Sequence, residues 1–191
     1  LIAEYGKTEN PGIWKPEANH VLELKQMQAY LEQLNKNRTG FVVQKEAFNQ
    51  NPIKSEALEK SINSVLETIE KKMELIIKTH HQEMFSQLKS IPGMGTKTSL
   101  LLIVISGGFS KFNNHKQLAS YVGISPRIFE SGTSVKGRSK ICKMGMSKIR
   151  ALLYMCAWSA KRCNETCKAL YDRLVEKGKS KKLALIAVVN K

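Results

Sequence analysis

Between Pro126 and Lys140 small hydroxylated residues and glycines interleave with cations: Ser131, Gly132, Thr133, Ser134, Gly137 and Ser139 stand among Arg127, Lys136, Arg138 and Lys140. Such a segment predicts an open loop able to wrap a phosphate, with hydroxyls and exposed amides giving hydrogen bonds and the cations giving charge. A serine there could attack phosphorus, because nearby cations stabilise both its alkoxide and the charge that develops on the phosphorane. Ser131, Ser134 and Ser139 are equal candidates by composition, and each is also an ordinary turn residue.

A second segment with chemical potential is Ile91-Pro92-Gly93-Met94-Gly95, flanked by Lys89, Thr96, Lys97 and Thr98. Two glycines one residue apart let a backbone turn tightly and approach a phosphate, while the N–H groups of the next helix's first turn face the anion. This is the pattern of a helix-hairpin-helix, which grips the nucleic-acid backbone without reading bases. The plainer reading is a helix-to-helix turn with a glycine cap. The position of the turn at the start of the basic half, between lysines, favours the grip.

Other chemistries find little material. The aspartate Asp172 stands alone, the glutamates of the first half fall along solvated helix faces, and no metal cluster is expected. Cys142, Cys156, Cys163 and Cys167 contain no CxxC pair and lie far in sequence from His20, His80, His81 and His115, so buried thiols are expected rather than zinc ligands or disulfides. The apolar run Leu100 to Ile105 is too short to cross a bilayer. Charge is divided sharply. Residues 1–88 hold 11 Lys+Arg against 12 Glu, a net of −1, whereas residues 89–191 hold 20 against 4 acids, a net of +16. A compact unit of that charge calls for a polyanion.

The elements that must position these groups read as mainly α. Leu1 to Gly12 reads as the tail of a helix from a preceding domain, in a chain that opens like an excised piece. From Glu17 to Lys36, Leu24, Met27, Leu31 and Leu34 repeat at heptad-like spacing. A polar stretch with Gly40 and Pro52 is expected to interrupt that helix. A second amphipathic helix is expected from Ser55 to about Ser90, with Leu58, Ile62, Val65, Ile69, Met73 and Ile76 on one face. The two make a hairpin within the chain or half of a dimeric bundle. After Ile91 the pattern changes to short helices at Thr96–Ile105, His115–Val122, Lys148–Arg162 and Glu165–Lys177, then a helical apolar run from Leu183 to Val189. The expected division is 1–12, a coiled-coil hairpin at 13–88, and a small helical domain at 89–191.

Several of these segments, taken in order, resemble one family. Ile91-Pro92-Gly93-Met94-Gly95-Thr96-Lys97-Thr98 is followed by Phe112 and by Gln117-Leu118-Ala119-Ser120-Tyr121-Val122-Gly123-Ile124-Ser125-Pro126-Arg127. Glu130-Ser131-Gly132, Lys143-Met144-Gly145 and Ile149-Arg150 complete the succession, which is similar to the transposase domain of DEDD insertion-sequence transposases of the IS110 family over about residues 88–178. The resemblance implies a bacterial, cytoplasmic, nucleoid-associated recombinase with a split active site. A RuvC-like domain, of which residues 1–12 would be the remnant, holds Mg²⁺ on acidic residues. A serine of the carboxy-terminal domain attacks DNA. By the Ser-Gly motif that serine maps onto Ser131, and nucleic acid would meet Lys89, Gly93, Gly95, Thr96, Lys97, Thr98, Arg127, Gly132, Lys136, Arg138, Lys140, Lys143 and Arg150. The resemblance further implies a homo-oligomer, joined through the coiled coil, and a structured RNA encoded by the element. No metal or other cofactor is expected within this chain, which alone should be catalytically silent.

Two other classes compete. A non-catalytic helix-hairpin-helix protein of DNA repair or junction binding accounts for the charge and for Gly93 and Gly95, but not for the Ser131 segment or the long hairpin. A coiled-coil protein binding an anionic membrane would need a long basic amphipathic helix with Trp or Phe at its apolar edge, which the basic half is not expected to contain.

Overall fold

The computed structural model describes residues 2–9, 16–48, 55–127, 130–131, 135–136 and 140–191. It is mainly α, as expected. Helix α1 (Ile2–Glu9) is followed by α2 (Asn19–Ala47) and α3 (Ser55–His80), which pack against each other in antiparallel fashion. Across this hairpin Lys72 pairs with Glu23 at 3.1 Å, Arg38 donates to Asn63 at 3.0 Å, and Lys45 lies 3.8 Å from Glu56. These contacts are solvated and each adds little. The apolar seam between the helices does more: Leu24, Leu31, Ile62, Leu66, Met73 and Ile77 are buried along it.

Three expectations for the hairpin are corrected. Gly40 does not interrupt α2, which continues to Ala47. A glycine inside a helix costs about 1 kcal/mol relative to alanine, and here Phe41 packs onto the core beside it while Lys45 reaches α3. Leu58 and Val65 are exposed, and Leu66 and Ile77 take their places in the seam. Finally, the helix expected to run from Ser55 to Ser90 breaks at His81, beyond which α4 (Gln82–Ser90) begins. Hydrogen bonds still cross the kink, from the His81 N–H to Ile77 (2.7 Å) and from the Phe85 N–H to His81 (2.9 Å). At the kink the His81 ring lies against Gly108, where a Cβ would come within 2.7 Å of it.

Helix α5 (Thr96–Ser106) is the pivot of the molecule. Every residue from Thr98 to Ser106 is buried, the expected fate of a helix that is apolar all round. Its buried hydroxyls are satisfied: Ser99 donates to Gly95 at 3.1 Å, Ser106 donates to Leu102 at 2.6 Å, and Cys156 donates to Thr98 at 3.3 Å. One side of α5 (Leu100, Ile103, Val104) packs into the hairpin core, and the other (Leu101, Leu102, Ile105) packs with Val122, Ile124 and Ile149.

The remaining helices are α6 (His115–Val122), α7 (Ser147–Cys163), α8 (Glu165–Glu176) and α9 (Lys181–Val189), close to their expected limits. Capping explains where they start, with Asn114, Asn164 and Ser180 each accepting from a backbone N–H in the first turn of the following helix. Gln117 also accepts from Asn113 N–H at 2.8 Å, a variant of the capping box. Helices α7, α8 and α9 enclose a third core around Ala157, Tyr171, Ala184, Leu185 and Val188. The cysteines are free, but they are not the buried residues expected: Cys163 is exposed and the other three are half-buried. Burial, then the neighbouring Cys163, pushes the Cys167 thiol above its ordinary pKa. Among the described residues no helix is long and apolar enough to cross a membrane.

Candidate nucleic-acid interface

Between α6 and α7 the chain rises as an antiparallel ribbon rather than the open loop expected. Strand β1 (Pro126–Arg127) pairs with β4 (Lys140–Ile141), Pro126 opposite Ile141 and Arg127 opposite Lys140. Strand β2 (Glu130–Ser131) pairs with β3 (Val135–Lys136), Glu130 opposite Lys136 and Ser131 opposite Val135. The register shifts by one between the two ladders because two residues separate β1 from β2 and three separate β3 from β4. Ser131 is thus in the last backbone pair before the three-residue connection 132–134. Gly132, Ser134, Arg138 and Ser139 lie outside the described residues.

The base of the ribbon is clamped by two chain segments that cross backbone to backbone. Gly123 ends α6 at φ +81°, and a Cβ there would strike the Met144 carbonyl; Gly145 at φ +104° would likewise strike the Tyr121 carbonyl. Lys143 N–H donates to Gly123 O and Cys142 N–H to Ser125 O, each at 3.0 Å. Arg150 closes the crossing from α7, donating to Val122 O at 3.0 Å. The Phe112 and Tyr121 rings lie 5.3 Å apart and brace α6 from the other side. Arg150, which reads in sequence as a contact to nucleic acid, thus also helps hold the ribbon. Lys143, at φ +59°, and Lys140 are exposed at its foot, and Arg127 is exposed with an interaction of its own.

The turn Ile91–Gly95 joins α4 to α5 as a helix, a tight turn and a helix, with Met94 N–H donating to Ile91 O at 3.0 Å. Its glycines differ in kind. Gly93 has φ +96°, and a Cβ there would lie 2.6 Å from Ala160 N and 2.9 Å from Cys156 O, so this glycine seats the turn on the backbone of α7. Gly95 has φ −87° and nothing within 4 Å of its virtual Cβ. It opens the first turn of α5 without a side-chain cap, the arrangement an anion can use. Around it, Thr96 is half-buried, Thr98 is buried, Lys97 pairs with Glu70 of α3 at 2.7 Å, and the Lys89 ammonium lies 5.6 Å from the Phe85 ring centre. The turn and the ribbon thus share α7 as their common support.

Sequence reasoning passed over two features. One is α7 itself, whose Lys148, Arg150, Lys161 and Arg162 are unaccompanied by any acid and whose Trp158 is 46% exposed. The run of four cations without an acid was the available signal. The other is a histidine group where α2, α3 and α4 meet. The His20 and His80 rings stack at 4.1 Å, His81 lies 5.3 Å from His20, and its buried Nε2 lacks a hydrogen-bond partner. Burial, and then the neighbouring His20 and His80, hold His81 below its ordinary pKa. Nearby, hydrogen bonds first from Lys25 and then from Lys111 hold Glu17 below the usual carboxylate range. Among the described residues no group of three or more His, Cys, Asp or Glu could hold a metal ion.

Residues 86–172, spanning turn, ribbon and α7, match the family described as the IS116/IS110/IS902 transposases. The whole chain is 31% identical to the pilin gene-inverting proteins of Moraxella lacunata and of Moraxella bovis, and spans 61% of the length of each. A 43.6 kDa insertion element IS110 protein of Streptomyces coelicolor is 28% identical over 68% of the chain and 29% of its own length. With these matches over the segments that build the turn and the ribbon, residues 86–172 are similar to the transposase domain of the IS116/IS110/IS902 family.

Proposed function

We propose that this chain is the DNA-gripping, nucleophile-bearing part of a transposase that breaks and rejoins DNA strands. The relatives named for inverting a pilin gene support DNA rearrangement as the activity, since a gene inverts only if strands are cut and rejoined. The single observation that carries the site assignment is the ribbon register, in which Ser131 occupies the last pair before the connection. A nucleophile there can reach a phosphate that the base of the ribbon does not touch. In the proposed step the Ser131 Oγ bonds to phosphorus, its proton passes to solvent or a base, and one bridging P–O bond of the DNA breaks. The departing strand end leaves as a hydroxyl once protonated. A strand-end hydroxyl then attacks the phosphoserine and releases Ser131, so each phosphodiester broken is remade.

The net charge of +16 on residues 89–191 supports backbone grip as the mode of binding, and such binding weakens steeply with salt. The divalent cation would be held by acidic residues of the whole protein outside this chain, which on that reading is silent alone. A structured RNA is a further partner under the same reading, and the bacterial cytoplasm is the place where both nucleic acids occur. Homo-oligomers would form along the hairpin, where Tyr30, Val43, Val65 and Leu75 stay exposed.

The test is Ser131→Ala in the full-length protein, with Ser134→Ala and Ser139→Ala as matched controls. Strand exchange and the covalent protein–DNA adduct should both vanish for Ser131→Ala alone, while DNA affinity changes little. Recombination by Ser131→Ala, or its loss only in one of the controls, overturns the assignment. A non-catalytic helix-hairpin-helix protein would give no adduct with any serine in place.

A further inference from the structure

The exposed face of α7 is formed by Ala151, Met155, Trp158, Ser159, Arg162 and Cys163, residues spaced to lie in one stripe. Met155 is 62% exposed and Trp158 is 46% exposed. The Lys161 ammonium lies 3.9 Å from the Tyr171 ring centre and 5.9 Å from that of Trp158, so it bridges the indole to the third core. Arg162 is exposed one turn beyond Trp158 and takes part in none of the ion pairs among the described residues. On the adjoining side of the same two helical turns, Cys156 and Ala160 seat the turn that contains Gly93.

We propose that this face of α7 is a platform for single-stranded nucleic acid, on which an unpaired base stacks on Trp158 while Arg162 holds the adjacent phosphate. The inference rests on the reading that the basic half grips nucleic acid, and it adds what a backbone grip lacks, a means of telling paired from unpaired strands. Charge selects the partner, since Lys161 and Arg162 stand beside Trp158 on a helix that carries no acid, which favours an anionic strand. Geometry selects the base. A flat aromatic ring beside an unpaired arginine is the arrangement by which proteins hold single strands without reading sequence, and every base offers a face to it. A membrane surface suits the stripe less well, because an interfacial helix needs a broad apolar face and here Met155 and Trp158 are bordered by Ala151, Ser159 and Cys163. A duplex keeps its bases stacked inside and could meet only the cations.

The chain has two tryptophans, so Trp14→Phe leaves Trp158 as its one tryptophan, which is excited apart from the five tyrosines. That protein would be titrated at low salt with a twelve-residue oligothymidylate, its uridylate counterpart, an abasic strand of equal length, a DNA duplex, and vesicles containing phosphatidylserine. Both base-bearing single strands should quench Trp158 emission, whereas the abasic strand and the duplex should bind with little quenching. Trp158→Ala should weaken single-strand binding about tenfold and duplex binding less than twofold, and Trp158→Phe should restore most of the difference. Circular dichroism of each variant should be unchanged. Equal loss on single strand and duplex, or saturation by oligothymidylate without quenching, overturns the platform and leaves the backbone grip standing. A blue shift with vesicles and none of the quenching with strands would make the stripe a membrane face instead. If no nucleic acid binds at any salt, the grip itself fails and the platform with it.

Discussion

Replacing Gly93 by alanine should destabilise the whole chain rather than only weaken its grip on nucleic acid. Two costs add. A side chain at φ +96° sits where L residues are strained, which costs about 1–2 kcal/mol. The new Cβ also lands 2.6 Å from Ala160 N and 2.9 Å from Ala160 Cα and Cys156 O, all backbone atoms of a helix that cannot rotate aside. Overpacking of that kind costs about 1–3 kcal/mol, so the sum is about 3 kcal/mol. For a chain of this size that should lower Tm by about 6–12 °C. Gly178→Ala is the control for strain, because Gly178 has φ +74° with nothing within 4 Å; it should lose only about 1 kcal/mol. Gly95→Ala is the control for position in the turn. It introduces neither strain nor contact and should cost about 0.5–1 kcal/mol as a poorer N-cap, yet its methyl stands where a phosphate would approach α5 and should weaken duplex binding. Thermal melts by circular dichroism and salt-matched DNA retardation on the three variants decide the matter. If Gly93→Ala melts within about 1 °C of the parent and yet fails to bind DNA, Gly93 is a phosphate contact and the seating on α7 carries no weight.

Arg150→Met should cost about 1.5–3 kcal/mol, the worth of a hydrogen bond from a charged group to a half-buried carbonyl, read as a lowered Tm. A loss of DNA binding with no change in Tm would return Arg150 to the surface role its sequence suggests. Stability should also fall as pH drops from 7.5 to 5.5. A histidine whose folded pKa is depressed contributes stability above its unfolded value of 6.5 that is lost as pH falls toward the folded value. His81→Asn should flatten that fall, since it removes the proton-binding site beside His20 and His80; an unchanged slope would mean that His81 does not titrate in this range.

How much of this was legible in the sequence depends on how local the deciding physics is. Helices α5 to α8 begin and end within about two residues of their expected limits because caps such as Asn114 and Asn164, and breakers such as Gly107 and Gly123, act on their neighbours. The seam of α3 is a different case. Leu58 and Val65 fit the helical period as well as Leu66 and Ile77 do, and only the position of α2 selects between the two stripes. The kink at His81 sets its ring against Gly108, 27 positions away, a contact that spacing along the helix does not announce. Gly40 shows a local rule overruled, its helix penalty being met by the packing of Phe41. The ribbon was missed because β1 to β4 are two residues each, too short for an alternating pattern to be read.

The residues that carry the family resemblance divide in space into supports and exposed groups, and the division bears on what the resemblance can establish. Gly93, Gly123, Gly145 and Arg150 each meet another part of the same chain: the backbone of α7, the Met144 and Tyr121 carbonyls, and the Val122 carbonyl. Their types are dictated by folding, whatever the protein binds. Gly95 and the side chains of Lys140 and Lys143 are exposed instead. A match over residues 86–172 therefore covers the residues that build the turn, the crossing and the ribbon. It brings a particular serine to a particular place only through those supports, since a ribbon loosened at Gly123 or Gly145 would carry Ser131 with it. On the reading proposed above, specificity of chemistry would come from the end of the ribbon, and discrimination among nucleic acids from surfaces such as α7 that the supports leave uncovered.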